Sequence, residues 1–161
     1  MKDLYTHYKN VLDWNTKCNV RDEAPDSIEW WRTIDLQTAL LVEECQEAQN
    51  AATFCDKVEL LDGVVDTFII LSKLMDMLEK AGYDVEGAIE AIQVNNDTKV
   101  YSSYYQAVEA KEKIEDKTDQ EHWVDTGIFN GLPFYTVKKM TGKVANAVDF
   151  VPVDLSEYVP K

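Results

Sequence analysis

Glu43, Glu44 and Glu47 stand within one helical turn and a half of one another, and Glu59, Asp62 and Asp66 follow at i, i+3 and i+7. Carboxylates at these spacings share one stripe of a helix. Two such stripes facing one another bring four or five negative charges together, which is tolerable only with bound cations or raised pKa values. The ligand set is all oxygen. His7 and His122 are remote in sequence, and Cys18, Cys45 and Cys55 lack ligand spacing. Hard divalent ions, Mg²⁺ with Mn²⁺ as a substitute, therefore suit the residues better than zinc. A carboxylate-bridged di-iron bundle requires Glu-x-x-His on two helices, and this chain has none.

The elements that must position these groups are legible as periodic stretches. Asp26 or Ser27 caps a helix that runs through Trp30 and Trp31 to about Ala52, with Glu29 in the capping-box position after Asp26. On its wheel Glu44 falls in the middle of the apolar face made by Leu36, Leu40, Leu41 and Ala48, with Glu43 and Glu47 at the edge. A carboxylate there is costly unless something compensates it. The next helix fits Val58–Lys80 and ends at Ala81-Gly82; Glu59, Asp62 and Asp66, continued by Lys73 and Lys80, could form a narrow solvent-facing stripe, but it is apolar around most of the rest of its circumference, which suits a central position. The short connection Thr53–Lys57 makes the two helices antiparallel neighbours.

Further helices fit Leu4 to about Asn15, Val85 to about Asn95 behind an Asp84 cap, and Tyr104 to about Lys117. Phe134–Lys139 and Val144–Phe150 read as β-like runs around Thr141-Gly142, with Pro152 and Pro160 keeping the tail extended. The expected fold class is all-α: a four-helix-type bundle over residues 1–99, with residues 100–161 adding a helix and a β-hairpin tail that packs on the bundle or on a partner subunit.

Glu43-Glu44-x-x-Glu47 followed by Glu59-x-x-Asp62 resembles the E-E-x-x-E … E-x-x-D signature of the all-α nucleoside triphosphate pyrophosphohydrolase superfamily, which includes MazG-like proteins, dimeric dUTPases, dCTP pyrophosphatases and phosphoribosyl-ATP pyrophosphohydrolases. Glu59-Leu-Leu-Asp62-Gly-Val-Val-Asp66 is similar to members with a second aspartate one turn on, and Asn96-x-x-Lys99 resembles their Asn-x-x-Lys element. The Thr141-Gly142-Lys143 segment and the tail resemble small free-standing members, some of them phage-borne. The gap of eleven residues between Glu47 and Glu59 is short for the family.

The resemblance implies hydrolysis of a nucleoside triphosphate between its α- and β-phosphates, giving monophosphate and pyrophosphate. It implies Mg²⁺ held by Glu44, Glu47, Glu59 and Asp62, and Glu43 or Asp66 orienting the attacking water or taking its proton. Lys99 would offset phosphate charge, and Asn96 would bond a phosphate oxygen or the sugar. Relatives are homodimers or homotetramers. Trp30 or Trp31 could stack on the base, although aromatics at this spacing also serve cores; Arg32 could meet a phosphate or a partner carboxylate.

Composition narrows the rest. Thirty acids against sixteen bases give a net charge of −14, which repels nucleic acid polymers and anionic membranes. Half of that excess lies between Asp35 and Asp66, where eight acids face the single base Lys57. The apolar stretch Gly63–Met77 is broken by Asp66, Ser72, Lys73 and Asp76, so no standard membrane span is expected. The start of the chain lacks a signal-peptide pattern, so the expected compartment is the cytoplasm, or a host's cytoplasm for a phage-encoded protein. The rival readings are a dedicated phosphoribosyl-ATP pyrophosphohydrolase and a non-catalytic acidic module or mimic that sequesters a basic partner.

Overall fold

The computed structural model describes residues 4–18 and 23–160. Among these, the chain forms helices α1 (Leu4–Lys17), α2 (Ile28–Thr53), α3 (Lys57–Lys80), α4 (Val85–Asp97) and α5 (Tyr104–Thr118), and strands β1 (Val100–Tyr101), β2 (His122–Phe129) and β3 (Leu132–Lys139). The chain divides into two compact units, one of residues 1–85 with 158–161, the other Glu86–Glu157. Of the two predicted caps, Ser27 takes the role, its hydroxyl accepting from the Trp30 amide at 3.1 Å, and Asp26 stands just outside α2. The helix then runs unbroken past Thr33–Asp35 to Thr53.

In the first unit α3 packs against both α1 and α2, while its Glu59 and Asp62, with Leu61, Val64 and Val65, stay exposed. Buried side chains include Trp30, Ala51 and Met77, with Ser72, Lys73 and Asp76 among them. The Ser72 hydroxyl donates to the Phe68 carbonyl at 2.7 Å. Asp76 stands between the Lys73 ammonium at 3.7 Å and that of Lys80 at 3.1 Å. Such pairing offsets part of the cost of taking the charge out of water. On α1, Tyr8 donates to Glu79 of α3 at 3.3 Å. The α3 helix ends as its Gly82 predicts, with that residue at φ 88 and the Tyr83 amide reaching back to the Leu78 carbonyl.

The second unit corrects the expected fold class. An all-α fold with a four-helix-type bundle is not what forms, because residues 100–139 build a three-stranded antiparallel sheet in the order β1-β3-β2, and the chain is therefore helical and β together. The hairpin turns at Asn130-Gly131, both at positive φ (51 and 78), the pair that a type I′ turn demands. Trp123, Val124, Ile128, Phe129, Phe134, Tyr135 and Val137 supply the β-branched and aromatic content that favours strands. The hairpin expected around Thr141-Gly142 is reduced to a tight turn, with a single bridge from Lys138 to Val144 and the Ala145 amide on the Val137 carbonyl.

Ile114 of α5, Val137 of β3 and Ala145 form the buried core of this unit, with Tyr101, Ala110 and Val148 around it. Two amides of β2 are taken by side chains, His122 by Glu115 at 2.7 Å and Thr126 by Asp125 at 3.0 Å. That consumes donors an added strand would need.

Candidate metal and phosphate site

The turn between α2 and α3 is only Phe54, Cys55 and Asp56, which explains how so short a gap separates Glu47 from Glu59. Cys55 takes a left-handed conformation (φ 58), its amide bonding the Ala52 carbonyl while the Asp56 amide bonds the Ala51 carbonyl. Asp56 then caps α3 at once, accepting from the amides of Val58 (3.0 Å) and Glu59 (3.2 Å). The chain reverses without a spare residue.

Two contacts set the register of the antiparallel pair. Gly63 of α3 lies on Ala48 of α2, and the Cys45 thiol stands 4.0 Å from the Thr67 hydroxyl. The first contact is flanked by Glu47 and Asp62, the second by Glu44 and Asp66. Gly63 is a positioning residue that the motif reading passes over. Its signal in the sequence is a glycine inside a helix, which costs about 1 kcal/mol relative to alanine and so calls for a packing reason.

Glu44 is half-buried, whereas Glu43, Glu47, Glu59 and Asp62 are exposed and Asp66 is half-buried. Partial burial raises the Glu44 pKa, and the negative charges of Glu47, Asp66, Glu43 and Asp62 raise it further. Five carboxylates from two helices thus share one field. Glu59 is not among the charges acting on Glu44. It stands in the first turn of α3, about 10 Å along the helix axis before Asp66.

The donors fit a hard divalent cation by chemistry, since all are carboxylate oxygens, and the raised proton affinity of Glu44 marks a place where positive charge is stabilising. Among the described residues no three histidine, cysteine, aspartate or glutamate side chains converge tightly enough to chelate an ion as they stand. Chelation would require the glutamates to turn inward, which their exposed positions allow.

The remaining candidates lie elsewhere. Trp30 is buried (2% exposed), packed edge to face with Trp31 at 4.7 Å, and Trp31 is half exposed. Trp31 precedes Glu44 by thirteen positions, about 20 Å along α2, with Arg32 one residue nearer and exposed. Within one chain these three do not adjoin the carboxylates. Asn96 and Lys99 belong to the second unit, where the Lys99 ammonium donates to Asn96 Oδ1 at 2.7 Å and lies 4.7 Å from the centre of the Phe150 ring. The two therefore act as a local pair.

No family model, curated protein or solved structure matches the chain. Among the described residues no helix is long and apolar enough to cross a membrane.

Proposed function

We propose that the chain is a Mg²⁺-dependent nucleoside triphosphate pyrophosphohydrolase, acting in the cytoplasm and releasing monophosphate and pyrophosphate. What supports this reading is that half-buried Glu44 of α2 lies in the field of Asp62 and Asp66 of α3 as well as of Glu43 and Glu47, on a helix pair held in register by the Gly63–Ala48 contact. An acidic pocket takes a polyphosphate only once cations have inverted its field.

Glu44, Glu47, Glu59 and Asp62 would hold Mg²⁺, or Mn²⁺ in its place, which when bound would supply phosphate clamping and a more acidic water. Glu43 or Asp66 would orient the attacking water toward the α-phosphorus or accept its proton. The bond broken joins the α-phosphorus to the bridging oxygen, and pyrophosphate leaves with that oxygen. On the second unit, Lys99, whose ammonium donates to Asn96, is the candidate cation for a phosphate, and Asn96 the candidate partner of phosphate or sugar. Of the two indoles only Trp31 presents an open face to a base, Trp30 being buried; Arg32 meets a phosphate or a carboxylate.

The protein works as a homodimer or homotetramer. Leu61, Val64 and Val65 are exposed on α3 (66%, 53% and 46%), and an apolar groove of about 700 Å³ runs between α1 and α3, lined by Val11, Trp14, Phe68 and Ile69 among others. Apolar surface of this kind on one central helix is what an association face requires.

The test is a screen of NTPs, dNTPs and phosphoribosyl-ATP, reading pyrophosphate with Mg²⁺ and with EDTA. Metal-dependent release from NTPs or dNTPs is expected. Release from phosphoribosyl-ATP alone redirects the substrate, and release from none defeats the hydrolase reading.

A further inference from the structure

The second unit carries a pocket of about 290 Å³ between the end of α5, the start of β2 and residues 139–148. Lys117, Lys139 and Lys143 line it and no aspartate or glutamate does, in a chain whose net charge is −14. None of these three lysines forms an ion pair among the described residues. Glu115 of α5 is already engaged, by the Lys111 ammonium at 2.8 Å and by the His122 amide at 2.7 Å.

The tight turn at Thr141-Gly142 brings two of the lysines together. Gly142 takes φ 85 and its amide bonds the Lys139 carbonyl at 2.8 Å, while the Lys139 amide bonds the Lys143 carbonyl at 2.8 Å. Lys117 reaches over from α5, its ammonium donating to the Val148 carbonyl at 3.2 Å with protons to spare. A lysine in the last turn of a helix also suits the helix dipole, which accounts for Lys117 but not for Lys139 or Lys143. Cations held around one pocket repel one another, and a bound anion removes that cost.

His122 adds a group of another kind. It is buried (5% exposed), lines the same pocket and lies opposite Lys139 in the β2–β3 ladder. Its Nδ1 stands 2.8 Å from the Gln120 carbonyl. A carbonyl only accepts, so Nδ1 carries the ring proton, and Nε2 of the neutral ring is an acceptor with no hydrogen bond among the described residues. Cations beside a bare acceptor suit an anion that itself carries a proton. Inorganic phosphate is such an anion in mildly alkaline solution, whereas sulfate and phosphate monoesters are then dianions without one. The volume lies at the lower limit of ordinary ligand pockets, roughly 300–1,000 Å³, which favours a small anion. We propose that this pocket binds free inorganic phosphate, its oxygens against Lys117, Lys139 and Lys143 and its hydroxyl donating to His122 Nε2. The site stands on the second unit alone and does not depend on the pyrophosphohydrolase reading.

The experiment is a calorimetric titration of the full chain with inorganic phosphate, in metal-free buffer at about pH 8, where an ordinary imidazole is neutral, and in physiological salt. Sulfate and methyl phosphate serve as the dianions that lack the proton. Saturable one-to-one phosphate binding is expected, at least roughly tenfold tighter than either control. Lys139→Gln and Lys143→Gln change exposed positions, so each should keep a native far-UV spectrum and weaken phosphate binding about tenfold by loss of a charge-assisted contact. Lys113→Gln, which removes the same charge outside the pocket, should leave binding intact, and so should Glu44→Gln, which separates this site from the acidic helices. The proposal fails if phosphate does not saturate, if sulfate or methyl phosphate binds as tightly, if a natively folded Lys143→Gln binds unchanged, or if Lys113→Gln or Glu44→Gln weakens binding as much as Lys143→Gln.

Discussion

Gly63 lies so close to Ala48 that a methyl group on the glycine would stand 3.1 Å from both the Ala48 Cβ and its backbone nitrogen. The nearest atoms are backbone and a short side chain, so the helices themselves must give way. Because Glu47 and Asp62 flank this contact, the distance between α2 and α3 and the spacing of the carboxylates are one quantity.

Gly63→Ala is therefore expected to lower stability. The helix-propensity gain of about 1 kcal/mol is outweighed by an overpacking cost of roughly 1–3 kcal/mol. Gly63→Leu should cost more. Denaturant melts of both variants check the sign; stabilisation by Gly63→Ala would mean that the helix pair is not closely held at this point.

The Glu44 field makes stability depend on pH in a definite direction. Partial burial and then the charges of Glu47, Asp66, Glu43 and Asp62 raise its pKa in the folded state. The folded chain thus keeps this proton to higher pH than the unfolded chain does. Stability from this group is fully present below the ordinary glutamate range and is lost as pH rises through the folded value. In EDTA, Glu44→Gln should be more stable than the parent at neutral pH, and the difference should shrink on acidification. A difference that is flat with pH would leave Glu44 outside any shared field.

How much could be read in advance divides by the range of the signal. Ser27, Gly82 and the short α2–α3 connection act within a turn of chain, and the elements they bound were legible. The strand pairing was not. Thr141-Gly142 and Asn130-Gly131 each sit between β-like residues, and what separates them is whether both flanks can pair along their length. His122–Phe129 pairs with β3 over eight residues, whereas residues after Lys143 leave the sheet after one bridge. The carboxylate stripes were visible from spacing, yet their register rests on Gly63 meeting Ala48, a contact between elements. The distance from Trp31 to Glu44 follows from the unbroken helix.

Cys55 offers a test of the turn itself. A non-glycine residue in the left-handed region costs about 1–2 kcal/mol, and this position is the one glycine favours after a helix. Cys55→Gly should raise the midpoint of unfolding by an amount equivalent to about 0.5–1 kcal/mol, part of the relief being offset by the entropy of a freer unfolded chain. An unchanged or lower midpoint would show that the cysteine side chain contributes packing which its exposure does not reveal.

The final expectation ties turnover to metal binding on the same variants. Mg²⁺ or Mn²⁺ should raise the melting temperature of the parent by mass action on the folded state, and Glu44→Gln and Asp62→Asn should abolish that rise. Glu47→Gln, Glu59→Gln and Asp62→Asn should each lose turnover by on the order of 10³-fold or more, as expected when a metal-organised nucleophile is lost. Glu59 is the informative member, because it stands apart from the field on Glu44. Full turnover in Glu59→Gln would confine the site to Glu43, Glu44, Glu47, Asp62 and Asp66. Lys99→Ala should differ in kind. It removes a charge-assisted contact worth roughly 1.5–3 kcal/mol, so the loss is smaller and falls partly in KM, while the metal-induced melting shift survives because lysine is not a ligand. If the carboxylate variants turn over substrate at the parent rate, the hydrolase reading falls together with its metal site. A shift abolished by Lys99→Ala would show that the metal response depends on the second unit's Asn96–Lys99 pair as well as on the acidic helices.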